Sequence, residues 1–291
     1  MKKISAVFLA SLLLLSALAG CSGADKDGFN TNRAITAVTR EEGSGTRSGF
    51  IELFGIEVKN DDGTKKDMTS KEAITADKTD IMMTNIAGDP YAIGYISMGS
   101  LNSTVKALDI DGVAPTAENV KNDTYKIWRF FNIAVRKDGI SPLAQDFIDF
   151  ILSQEGQEVV TARACIAIDE NAPAYAGSKP SGKIVVEGSS SVFPLMEKLR
   201  EAYLIINPNA AIEVQLGDSA SGMASANKGT CDIGMASRAL KDSELAELTE
   251  IHIALDGIAV IVNNRNPLTG LSCEQVKDIF TGAALNWSDV S

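Results

Sequence analysis

Histidine is nearly missing from this chain, and so are paired cysteines, a phosphate-loop glycine motif and, beyond the N-terminus, long apolar runs. The single histidine, His252, lies inside the apolar run Ile251-His252-Ile253. A serine nucleophile would therefore lack its usual base, and packing or a hydrogen bond is the role its surroundings favour. No Ser-x-x-Lys stands at a strand-to-helix turn to replace it. Cys21, Cys165, Cys231 and Cys273 form no Cys-x-x-Cys pair, so neither a disulfide framework nor a zinc site is indicated. The last three read as small buried apolar residues. The absence of Gly-x-x-x-x-Gly-Lys-Ser/Thr excludes a P-loop nucleotide enzyme. No cofactor or metal is implied.

Basic residues are also in deficit, 27 against 38 acidic, for a net charge of −11. Such a surface repels nucleic acid and anionic membrane, and it cannot gather an anion from a distance. Any anion site must be local and enclosed.

The one long apolar run follows Lys2-Lys3 and ends in Leu18-Ala19-Gly20-Cys21. It reads as a secretory leader (1–20), too short for a comfortable span, and its end resembles a bacterial lipobox. That implies cleavage before Cys21, lipidation of its thiol, and a protein held at the extracytoplasmic face of the cell membrane by its lipid alone. Residues 21–33, polar and glycine-containing, read as a flexible tether.

The most informative segment is Thr39-Arg40-Glu41-Glu42-Gly43-Ser44-Gly45-Thr46-Arg47, which leaves an apolar strand and enters a helical pattern. Backbone N–H groups, two hydroxyls and a guanidinium at a helix start are what an oxyanion needs. Beyond it, β-rich runs (Ile35–Val38, Ala92–Ser97, Ile127–Val135, Lys183–Glu187, Ala211–Gln215, Asp232–Met235, Ile251–Ala254, Ile258–Val262) alternate with helical ones (Ala117–Asn122, Pro142–Ser153, Gly156–Arg163, Pro194–Asn207, Ser221–Lys228, Asp242–Leu248, Ser272–Phe280). The alternation predicts an α/β fold with mostly parallel sheets. Further small-polar turns, Gly188 to Pro194, Gly217 to Gly222 and Met235 to Arg238, lie at strand C-terminal ends, where open α/β sheets bind ligands. Any one alone is an ordinary helix cap.

Together these segments, with Asp256 to Asn263, Ile279-Phe280-Thr281-Gly282, Asn286-Trp287 and Ala92 to Ser97, resemble the phosphate-binding proteins of bacterial phosphate ABC transporters over nearly everything after Arg33. The resemblance implies a type II periplasmic-binding fold of two α/β lobes with the ligand cleft between them. The order of segments differs from the family's, which opens on the Gly-Ser-Ser-Ser segment and places Arg-x-x-Gly-Ser-Gly-Thr after Asn-Trp. The chain therefore resembles a circular permutant whose lobes would be 34–126 plus 255–291, split, and 127–254, continuous and including a joining linker at 169–181. A truncated tandem completed by a second chain is the alternative ordering, disfavoured because the two halves complement each other.

By motif position, the resemblance implies that Arg40, Ser44, Gly45 and Thr46 bind phosphate from one side. Ser190, Ser191, the backbone at Val192, Ser219 and Ser237 would bind it from the other. Val192 stands where the best-known members have Thr, and Ser237 where they have the Asp that accepts the proton of hydrogen phosphate; Glu42 could take that role or pair with Arg40. The implied partners are inorganic phosphate and the permease subunits of an ABC importer, with the receptor a monomer. Gly217-Asp218-Ser219 keeps a serine hydrolase as an alternative, and a sensory or adhesive lipoprotein would retain the fold without tight binding.

Overall fold

A computed structural model describes residues 28–291. The expected leader, Cys21 and residues 21–27 of the expected tether lie outside these residues. The elements in chain order are β1 (Thr36–Arg40), α1 (Gly45–Leu53), the hairpin β2 (Glu57–Lys59) and β3 (Lys65–Asp67), β4 (Ile74–Ala76), α2 (Thr79–Gly88), β5 (Ala92–Ser97), β6 (Lys106–Ala107), β7 (Asp109–Ile110), α3 (Ala117–Lys121) and β8 (Trp128–Arg136). There follow α4 (Pro142–Ile151), α5 (Gln154–Ala162), β9 (Gly182–Ser189), α6 (Phe193–Ile206), β10 (Ala210–Gly217), α7 (Ser219–Lys228), β11 (Ile233–Ala236), α8 (Asp242–Leu245), β12 (Leu248–Val262), β13 (Gly270–Leu271) and α9 (Cys273–Thr281).

The main sheet runs β10-β9-β11-β8-β12-β5-β1-β4, with β6 also on β12. It is mixed rather than mostly parallel. The β1–β4, β1–β5, β9–β10 and β9–β11 pairs are parallel, whereas β8 and β12 run antiparallel to each other and to β11 and β5 respectively. The two long antiparallel strands cross the middle of the sheet, and apolar packing divides around them. One core draws on residues from Phe29 to Ile127 and from Ile258 to Val290. A second draws on Phe131 to Ala254, with a satellite cluster around Met223 and Leu248.

β12 is one strand of 15 residues, where the sequence predicts two. Asp256-Gly257 reads as a break, but the glycine is there for contact: a Cβ on Gly257 would lie 2.1 Å from Met98 Sδ. At its start β12 takes Leu248 from the predicted helix, because Leu248 pairs with Arg136 and α8 stops at Leu245. The helix α2 and the strands β2 to β4 are not predicted. Residue Lys78 offers α2 no side-chain cap, and β2 to β4 are short and largely exposed, so neither leaves the usual pattern. By contrast α4 carries every signal: a Ser141 cap, Pro142 at the first turn and a buried stripe of Leu143, Phe147, Ile148 and Ile151.

The tether reading gives way at Phe29. This ring is 4% exposed and packs on Tyr91 and Trp287, whose centroids lie 4.9 and 5.9 Å away. From there to Ile35 the chain pairs with the C-terminal segment: Ser288 N donates to Thr31 O at 2.7 Å, Trp287 N to Arg33 O at 3.2 Å and Ile35 N to Leu285 O at 2.8 Å. Both ends of the described chain thus meet on the first core. The predicted linker at 169–181 is also held down, since Asp146 accepts from Tyr175 Oη, from Tyr203 Oη at 2.7 Å and from Ser178 N at 2.7 Å.

Candidate functional site

Arg40 ends β1 and is only 1% exposed. Its guanidinium donates to both carboxylate oxygens of Glu41 at 2.8 and 2.9 Å, to Ser190 Oγ at 2.9 Å and to Thr79 Oγ1 at 3.3 Å. The backbone beneath it is fixed from two sides. Arg40 N donates to Tyr95 Oη at 3.0 Å, and the Tyr95 ring stacks on Phe50 with centroids 3.7 Å apart. Arg47, from the first turn of α1, donates to Arg40 O at 2.7 Å and pairs with Asp67 at 2.8 Å. In Asp67 burial raises the carboxyl's pKa, and bonds from Thr69 and Arg47 more than offset it, leaving it below the ordinary range.

Around this arginine the chain gathers hydroxyls from remote segments. Thr46 Oγ1 lies 2.7 Å from Ser191 Oγ and 3.4 Å from Ser237 Oγ. Ser189 Oγ donates to Ser237 Oγ at 2.9 Å, Ser219 Oγ accepts from Ser237 N at 3.1 Å, and Thr79 Oγ1 is 3.3 Å from Ser190 Oγ. All of these side chains are buried. Arg40 and Thr46 belong to elements of the first core, and the serines to turns of the second, so the cluster sits where the two meet. Backbones touch there as well: Ala220 N donates to Gly43 O at 3.2 Å. Glycine is required at this contact, because a Cβ on Gly45 would lie 2.5 Å from Ser219 Oγ and 2.8 Å from Ser237 Oγ.

Of the residues singled out in the sequence, Arg40, Gly45, Thr46, Ser190, Ser191, Ser219 and Ser237 are brought together. Ser44 lies beside them as the cap of α1, its oxygen accepting from Arg47 N at 3.3 Å. Val192 caps α6 with backbone alone while its side chain fills the second core; no side chain closes that helix start. Glu42 is exposed, and it is Glu41 that holds Arg40. Arg238 turns to Glu244, which accepts from it at 2.7 and 2.8 Å, and so fastens the β11–α8 turn. His252 is exposed, stacked on Phe130 at 4.1 Å, with Nδ1 bonded to Asn132 Oδ1 at 2.5 Å. No serine hydroxyl bonds to it among the described residues.

Four participants were not found from sequence: Thr79, Ser189, Arg129 and Asp256. Thr79 opens the unpredicted α2, and Ser189 stands beside the quoted serines. Arg129 and Asp256 face each other across β8 and β12, with Arg129 Nη2 3.2 Å from Asp256 Oδ2 and 3.0 Å from Thr46 Oγ1. Burial pushes the Asp256 carboxyl up despite the neighbouring guanidinium. A charge inside an apolar strand is the signal that would have marked them.

Buried guanidinia, hydroxyls and a helix start with no side-chain cap bring hydrogen-bond donors together at one buried point, a chemistry suited to holding a small oxyanion. Fold and site together define the periplasmic-binding-protein class: residues 24–155 and 173–291 match the family model described as a PBP superfamily domain. The relatives narrow this. A phosphate-binding protein PstS 2 of Streptococcus agalactiae is 48% identical over 291 residues, covering 100% of this chain and 98% of the relative. A crystal structure of a phosphate ABC transporter's phosphate-binding protein from Streptococcus pneumoniae TIGR4 superposes with a TM-score of 0.70 at 42% identity, over 89% of this chain and 100% of that one. The Bacillus subtilis phosphate-binding protein PstS is 34% identical over 143 residues, 48% of this chain and 43% of its own. The chain belongs to the PstS-type phosphate-binding proteins.

Proposed function

We propose that this protein captures inorganic phosphate outside the cytoplasm and delivers it to the permease subunits of an ABC importer, without transforming it. The carrying observation is the convergence of Arg40 and Thr46 with Ser190, Ser191, Ser219 and Ser237 in one buried cluster, in which Thr46 and Ser237, 191 positions apart, lie within 3.4 Å. In this reading the two cores are lobes that close on a dehydrated anion, and the closed form is what the permease recognises. Lipidation of Cys21 would hold the receptor, a monomer, at the membrane's outer face.

The order of segments is read as a circular permutation. Two observations support it: the described ends pair with each other, and the Bacillus relative matches over less than half of either chain whereas the streptococcal one matches throughout. The carboxylates nearest the cluster are committed, Glu41 to Arg40, Asp218 to the cap of α7 and Asp256 to Ser97 and Arg129, and Glu42 is exposed. Hydroxyl lone pairs are then left to accept the anion's proton, and sulfate is rejected less sharply than a free carboxylate would reject it. Equilibrium dialysis with labelled phosphate, with sulfate, arsenate and molybdate as competitors, tests both points. Saturable binding with measurable sulfate competition is expected; no saturable phosphate binding would overturn the function.

A further inference from the structure

Arg129 is a buried charge in a costly place. It is 7% exposed, and Nε and Nη1 have no hydrogen-bond partner. Its guanidinium carbon sits 5.3 Å from the centre of the Phe131 ring. A well-packed apolar pair across β8 and β12 would serve stability at least as well as Arg129 and Asp256. What the guanidinium has that an apolar residue lacks is its bond to Thr46 Oγ1 at 3.0 Å.

We propose, resting on the phosphate reading above, that Arg129 is a positioning residue that fixes Thr46 as a hydrogen-bond donor to the bound anion. The chemistry follows from counting protons. Arginine only donates, and a hydroxyl has one hydrogen and two lone pairs. Once Thr46 Oγ1 accepts from Arg129 through one lone pair, the positive guanidinium turns the hydroxyl hydrogen away from itself and toward the opposite side of the oxygen. On that side Ser191 Oγ lies 2.7 Å away, a contact in which either hydroxyl can donate, and in the filled site an anion oxygen would receive the Thr46 hydrogen. Without Arg129 nothing biases the direction of the Thr46–Ser191 contact, and a hydroxyl offering a lone pair to an unprotonated anion oxygen repels it. Arg40 does the same at the other end of the chain of hydroxyls by donating to Ser190 Oγ at 2.9 Å. Asp256 is the counterweight that keeps Arg129 in place: its Oδ1 accepts from Ser97 Oγ at 2.7 Å and from Gly99 N at 3.3 Å, which aims Oδ2 at the guanidinium.

The test is a double-mutant cycle on phosphate affinity, read by titration calorimetry on the leaderless protein, with melting temperature as the folding control. Arg129→Met is made together with Asp256→Asn so that no carboxylate is left buried and unpaired. In the wild-type background the pair is expected to weaken phosphate binding about tenfold or more, and in the Thr46→Val background by less than about twofold. Arg129→Lys, which can still donate to Thr46, should retain most of the affinity. Arg129→Leu with Asp256→Leu, an apolar pair with no donor, repeats the cycle if the Met/Asn pair does not fold. Equal losses in both backgrounds, or a lowered melting temperature with affinity unchanged, would overturn the proposal and leave Arg129 a structural residue. A wild-type protein that binds neither phosphate, arsenate nor sulfate would overturn the functional reading, and this inference with it.

Discussion

At the scale of single residues, the site depends on charge and on the absence of side chains in equal measure. Arg40 is the charge. Its removal strips a buried anion of its nearest countercharge and leaves Glu41 unpaired beside it, so Arg40→Ala should cost about 3 kcal/mol or more of phosphate binding, over a hundredfold in Kd by calorimetry. Gly45 is the absence. A methyl there would intrude on Ser219 and Ser237, which belong to the other core, so Gly45→Ala should weaken phosphate binding by about 1–3 kcal/mol while the melting temperature of the ligand-free protein barely moves. A large loss of melting temperature would mean that this contact builds the fold and does not gate the ligand. The arginine and the glycine both stand in one nine-residue run, which is why this half of the site could be read directly from the sequence. Arg129 could be marked only as a charge in an apolar strand, because nothing in Trp128-Arg129-Phe130-Phe131 says that its partner lies on β12, brought opposite by sheet register alone.

At the scale of elements, the contrast between α4 and α2 shows what local pattern can carry. The cap, first-turn proline and apolar stripe of α4 are consistent signals, whereas α2 owes its existence to packing on β5 and β1 and leaves no cap to find. Strand direction was equally hidden, since an apolar run reads the same whether its neighbour is parallel or antiparallel. The segment 169–181 gives an element-scale prediction. Burial raises the pKa of Asp146, but bonds from Tyr175, Tyr203 and Ser178 outweigh it and leave the carboxyl below its ordinary value of 3.8. The stabilisation is therefore complete above that ordinary value and is lost as pH falls through the lowered one. Asp146→Asn should cost about 2 kcal/mol at neutral pH and flatten the acid limb of stability against pH, as measured by denaturant unfolding. An unchanged acid limb would show that the bonds to Asp146 do not hold the segment.

For the molecule as a whole, the pairing of Ser288 with Thr31 and of Leu285 with Ile35 makes the position of the chain's ends a matter of choice more than of architecture. A chain in which Ser291 is joined to Phe29 by a few glycines and serines, and which is opened within 169–181, should fold and bind phosphate within about tenfold of the original. Circular dichroism and dialysis decide it: an unfolded product would mean that the present order is needed to assemble the two cores.

Phe29 also fixes how the body can be held. Wedged between Tyr91 and Trp287 and backed by backbone bonds on either side of Arg33, it is a mechanical anchor point. Any force applied through the preceding chain is borne in shear by the edge of the first core, well away in sequence from the serine turns of the second.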